Sequence, residues 1–162
     1  YVEPVYEVSI GPFSRKLSFE TPNISKQWGL ENEADTDINA TAAWQHTKGS
    51  STIVVGVVDT GVEASHPDLK SQIAINVNEI PNNNIDDDGN GFIDDVSGWD
   101  FSGKTSNPSD DNGHGTHCAG IIAASGIKIY GVAPKVKILP LKFLDRRGSG
   151  TTADAVAGPP AP

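Results

Sequence analysis

The stretch "STIVVGVVDTG", residues 51–61, is a run of β-branched side chains interrupted once by Gly56 and ended by Asp59, Thr60 and Gly61. A continuous apolar run bounded by a turn signal predicts a strand buried on both faces of a parallel sheet, with Asp59 at its C-terminal end. Open α/β sheets take their ligands beyond that end of their strands, which makes a carboxylate there a candidate site residue.

Working outward, residues 131–145, "GVAPKVKILPLKFLD", supply a second apolar strand, and residues 146–158, "RRGSGTTADAVAG", a loop followed by the start of a helix. Between the strands, "DDNGHGTHCAG" (residues 110–120) leads into small residues that predict a helix over Gly115–Ala124, stopped by Gly126. Upstream, residues 37–49 predict a short helix from Asp37 to Lys48 with Trp44 turned inward and Gly49 as its stop. Residues 1–25 mix proline, serine and short apolar pairs, as an extended arm does. The alternation of strands and helices predicts an α/β fold, a doubly wound parallel sheet with helices on both faces. Such a sheet brings the loops after successive strands to one edge, so Asp59 and the loop before His114 can meet. A carboxylate accepting from one imidazole nitrogen fixes the tautomer and leaves the other nitrogen to act as a base near neutral pH.

Composition narrows the function classes. Among 162 residues, 12 Lys and Arg against 21 Asp and Glu give a net charge of −9, which argues against a nucleic-acid partner. No apolar run approaches the ~20 residues of a membrane-spanning helix. The one cysteine, Cys118, cannot close a disulfide within the chain. Methionine is absent, no leader segment is present, and prolines crowd residues 159–162, so the chain is expected to be part of a longer protein.

Four segments, "VVGVVDTGVEASHPDL", "NGHGTHCAGIIAA", "GVAPKVKILPLKFLD" and "GSG", in this order and at these separations, resemble the N-terminal half of a subtilisin-like serine protease. The resemblance runs from about Gln27 to Gly158. It implies a polypeptide substrate, Asp59 as the orienting acid, His114 as the general base, His117 in a packing role, and Cys118 as a small thiol beneath the histidine. It further implies that Gly148, Ser149 and Gly150 pair with an extended substrate and that Leu144 faces the residue next to the cleaved bond. By composition alone, "RGSGT" is more often an ordinary flexible loop, and only the neighbouring motifs raise the strand-edge reading. No serine stands in a nucleophile context, so that residue is expected outside this chain, on a second chain carrying the C-terminal half. The implied division is a propeptide tail and linker at 1–22, the catalytic-domain portion at 23–158 and an atypical tail at 159–162, with processing between Ile10 and Asn23. A zymogen of this kind is a secreted protein.

The stretch "NNNIDDDGNGFIDD" (residues 82–95) lies along a calcium-loop pattern, with Asn84, Asp86, Asp88, Asn90 and Asp95 as ligands and Gly89 at the turn. Asn opens the pattern and Asp closes it, an imperfect fit, and a solvated acidic loop is the alternative. The resemblance adds Asp68, in "HPDL", as a separate Ca2+ ligand. Other readings stay open at this stage: zinc held by His114, His117 and Cys118, a cysteine hydrolase, or a non-catalytic calcium-binding or interaction module.

Overall fold

The computed structural model describes residues 7–10 and 24–156. The strands are β1 (Glu7–Ser9), β2 (Val54–Asp59), β3 (Trp99–Asp100), β4 (Lys137–Lys142) and β5 (Ser149–Thr151). The helices are α1 (Ala40–Ala43), α2 (His114–Ala123) and α3 (Thr152–Val156), with a 3-10 turn at Ile24–Lys26. Strands β2, β4 and β3 form a parallel sheet in that spatial order, and β1 pairs antiparallel with β5 in a separate ribbon. The parallel sheet and its packed helix are the α/β architecture that the sequence predicts.

Register follows from apolar burial. Val54 through Asp59 pair in step with Lys137 through Lys142, which seats Val57 and Ile138 in one core with Val62, Leu69, Ile73 and Val136. Helix α2 closes this core with Ala119 and Ala123, both fully buried. Its small residues let the helix backbone lie close to the sheet, a contact in which each buried methyl contributes through area removed from water. A second cluster, Phe101, Leu141, Phe143 and Leu144, gathers around the C-terminal end of β4.

β2 departs from its predicted burial on both faces. Val54 is 45% and Val58 46% exposed, because β2 is the edge strand among the described residues and α2 packs on one side only. The Ile53 carbonyl accepts from the Lys137 amide and the Asp59 carbonyl from the Phe143 amide. Alternation along a parallel strand therefore turns the backbone groups of Val54, Gly56 and Val58 away from β4.

Two further departures have local causes. The helix predicted over Asp37–Lys48 shrinks to Ala40–Ala43, because Asn39 before it adopts left-handed backbone (φ 50). Asp37 caps a turn instead, accepting the amides of Asn32 and Asn39. Trp44 is half-buried, not inward: its ring lies tilted against Tyr130 with centroids 5.5 Å apart, and its indole N–H donates to the Val132 carbonyl. Helix α2 begins at His114, one residue before the predicted start.

Candidate active site

Asp59 closes β2, and its backbone carbonyl accepts from the amides of Phe143 and Leu144 just past β4. The side chain thus leaves a fixed strand tip, 9% exposed, with Oδ1 also accepting the Thr60 amide at 2.7 Å. His114 opens α2 behind Gly113, whose φ of 105 turns the chain into the helix. The two meet as the sequence predicts: His114 Nδ1 lies 2.8 Å from both carboxylate oxygens of Asp59. Such contact orients the ring with Nδ1 toward the acid, and the imidazole side chain is 31% exposed. Gly115 makes this approach possible, since a Cβ there would collide with the Gly61 carbonyl and stand 3.1 Å from the Asp59 Cβ.

Around the pair runs a polar frame that sequence reasoning did not single out. Asp110 accepts the Asn112 and Gly113 amides, the Thr116 amide, and the hydroxyls of Thr60 and Thr116. Burial pushes its pKa up, but the hydrogen bonds from Gly113, Thr116 and Asn112 outweigh this and hold the carboxyl below its ordinary value. Beside it the buried Lys142 ammonium donates to the Thr60 carbonyl, the Leu144 carbonyl and the Asp111 carboxylate. Every proton of that ammonium has a partner, which is what allows a lysine to be 4% exposed. The available signals were the adjacent acids of "DDNGH" and the threonines of "DTG" and "HGTH".

Cys118 sits one turn along α2, with Sγ 3.8 Å from His114 Nδ1. Burial first, and the Asp59 charge second, raise its pKa, which disfavours the thiolate that a cysteine nucleophile requires. Asp59, His114 and Cys118 form a group with ligand atoms within 4.8 Å, but His117 does not join it, contrary to the zinc reading.

The predicted substrate edge is a real strand. β5 carries Ser149 and Gly150, and Gly148 precedes it with φ 73. Along it lies the chain's own N-terminal arm, antiparallel: Val8 stands opposite Gly150, Ser9 opposite Ser149, and the Ile10 amide donates to the Gly148 carbonyl at 2.8 Å. Val8 and Ile10, alternate residues on one face, pack against the cluster that contains Leu144, itself 2% exposed. Asp145 braces the turn by accepting the Ser149 and Arg147 amides, which lower its pKa. Of the predicted domain divisions, 1–22 is described only at residues 7–10, and both the 159–162 tail and the processing region after Ile10 lie outside the described residues.

The acidic loop gathers a different set of oxygens from the one the pattern predicts. Asn90 donates to Asp88 and Asp95, and Asn76 donates to the same two carboxylates. Glu79, 5% exposed, joins Asp86 and Asp88 in a group with carboxylate oxygens within 4.8 Å. Asn84 is tied in by its backbone amide, which donates to Asp94. Glu79 was missed because it precedes the pattern by several residues. The donors are oxygen throughout, the ligand type calcium takes. Asp68 lies apart, fully buried, its carboxylate accepting the amides of Ile127 and Lys128 after α2. It anchors that loop through amides.

Residues 50–158 match the model of the subtilase family. The chain belongs to the subtilase family. It is 39% identical over 147 residues to subtilisin-like protease 1 of Plasmodium falciparum (isolate 3D7), covering 86% of this chain and 20% of that protein. To thermitase of Thermoactinomyces vulgaris it is 38% identical over 138 residues, covering 81% of this chain and 39% of thermitase. The solved structure of a cold adapted subtilisin-like serine proteinase aligns with a TM-score of 0.50 at 31% identity, over 69% of this chain and 32% of that one. This subtilase chain therefore spans about a fifth of the first of these relatives and under two fifths of the others. Subtilases are serine proteases, and the α/β fold described above is the one this solved relative shares. Among the described residues no helix is long and apolar enough to cross a membrane.

Proposed function

We propose that this chain carries the acid–base half of a secreted serine endopeptidase that hydrolyses polypeptides by acyl transfer. The observation that carries the reading is the 2.8 Å contact of His114 Nδ1 with both Asp59 oxygens at the end of a parallel strand. His114 takes the proton from an attacking serine hydroxyl and returns it to the leaving amine, while Asp59 stabilises the imidazolium. Gly148, Ser149 and Gly150 hold the substrate backbone as an added antiparallel strand, and Leu144 belongs to the apolar wall that receives its alternate side chains. Support comes from the arm at residues 7–10, which makes those contacts intramolecularly, as the propeptide of a zymogen would.

The nucleophile comes from residues outside 1–162, on polypeptide that also covers the outward backbone groups of β2 and its exposed Val54 and Val58. Ca2+ bound by Asp86, Asp88, Asn90 and Asp95 with Glu79 neutralises the acidic loop, which suits an extracellular setting where weak sites fill.

Fluorophosphonate labelling, which requires an activated serine, tests this reading. The chain alone is expected to remain unlabelled, and a mixture with a polypeptide bearing the C-terminal half to label, losing most of that labelling with His114→Ala. Labelling of the chain alone would overturn the split of the site. Labelling undiminished by His114→Ala, or none in the mixture, would overturn the catalytic assignment.

A further inference from the structure

We propose that Asp110, a residue that touches neither Asp59 nor the reacting groups, is the positioning residue that keeps Asp59 and His114 in register. The proposal rests on the acid–base reading of that pair. Asp59 and His114 belong to separate elements, a strand tip and a helix mouth, and a hydrogen bond between two side chains does not by itself fix where the elements sit.

Asp110 joins the loops that follow and precede them. Its Oδ1 accepts the Thr60 hydroxyl at 2.8 Å, the Gly113 amide at 2.9 Å and the Asn112 amide at 3.0 Å. Its Oδ2 accepts the Thr116 amide at 2.9 Å and the Thr116 hydroxyl at 2.5 Å. Thr60 is the residue after Asp59, and Gly113 the residue before His114. An ionised carboxylate is an acceptor only, so both threonine hydroxyls spend their single proton on it and must present lone pairs elsewhere. Those lone pairs are used. The Thr60 hydroxyl accepts the Gly115 amide at 2.9 Å, and the Thr116 hydroxyl accepts the Glu63 amide at 2.9 Å. Each threonine is thus a relay that stitches the turn after β2 to the first turn of α2, and both relays take their direction from one charge. Charge-assisted bonds of this kind are shorter and about twice as strong as neutral ones.

Asparagine at 110 would keep the shape and lose the logic, because in either orientation its amide nitrogen meets a backbone N–H that can only donate, from Asn112 and Gly113 on one side or Thr116 on the other. The ring nitrogens of His114 read the consequence directly. With Asp59 held in place, Nδ1 carries the proton in the neutral ring, and nitrogen-15 shifts report that tautomer.

In the full chain, Asp110→Asn is expected to reduce the ratio of the Nδ1–H to the Nε2–H tautomer of His114 on the order of tenfold, while core methyls of Val57 and Ile138 keep their folded shifts. Thr60→Val is expected to move the ratio in the same direction, and Thr60→Ser to restore it. If Asp110→Asn does not fold, the Thr60 pair decides. A ratio unchanged in folded Asp110→Asn, or equal in Thr60→Val and Thr60→Ser, would overturn the proposal. A wild-type chain without the Nδ1–H tautomer would instead overturn the pairing of Asp59 with His114, a separate failure.

Discussion

The site around His114 and the loop from Asn76 to Asp95 are both rich in carboxylates, and they handle the charge in opposite ways. At the site each acid has its own donors: Asp59 has His114 and the Thr60 amide, Asp110 has amides and hydroxyls, and Asp111 has the Lys142 ammonium. In the acidic loop, amides and the side-chain amides of Asn76 and Asn90 hold Glu79, Asp86, Asp88 and Asp95 together, and no cationic side chain is among those donors. The first arrangement is the one the proposed proton transfer through His114 uses. The second holds Glu79, Asp86 and Asp88 with oxygens within 4.8 Å of one another, the donor type of the Ca2+ site proposed above.

The contrast can be broken most severely at the imidazole. In protein supplied with the nucleophile, His114→Ala is expected to lower kcat/KM by roughly 10² to 10⁴, as measured with a peptide substrate, whereas Glu79→Gln leaves the proton-transfer step intact. Gly115→Ala comes next. The added methyl must push α2 from the Gly61 carbonyl, a strain of about 1–3 kcal/mol, read as a lower thermal midpoint and a lengthened contact between Asp59 and His114. On the other side of the comparison, calcium titration followed by calorimetry should show binding that Glu79→Gln weakens roughly tenfold, with no change in His114 tautomer. Full calcium affinity in that variant would remove Glu79 from the cation site.

Acid weakens the hydrogen-bonded frame around the site. Asp110 has a folded pKa below its ordinary 3.8, so its hydrogen bonds stabilise the fold fully above that value and are lost as pH falls through the lower, folded one. Near-UV circular dichroism of the wild type should decay in that window, and Asp110→Asn should show less dependence on pH there. Asp145 is lowered by the Ser149 and Arg147 amides and follows the same direction. Because it lies at the surface, Asp145→Asn should have the smallest effect, confined to the Gly148–Gly150 edge.

What could be read from the chain beforehand was whatever local pattern controls. The run from Ile53 to Asp59 states a strand and its tip, and the glycines around His114 state a turn into a helix. Burial of β2 on its second face was misread, because a sequence reports that Val54 and Val58 are apolar but not that β2 stands at the edge of the described sheet. The helix from Asp37 failed at Asn39, where a left-handed residue intervenes at a position that composition treats as a cap. Asp110 escaped notice because its bond to Thr60 joins residues far apart in the chain and leaves no periodicity to detect, and Glu79 because it precedes the calcium-loop pattern.

The central contact is tested most directly by the His114 ring-proton spectrum of the full chain beside that of Asp59→Asn. A wild-type Nδ1 proton resonance shifted downfield by its carboxylate partner and absent from Asp59→Asn is the expected result. The same resonance in both proteins, or in neither, would contradict the pairing on which the assignment of acid and base stands.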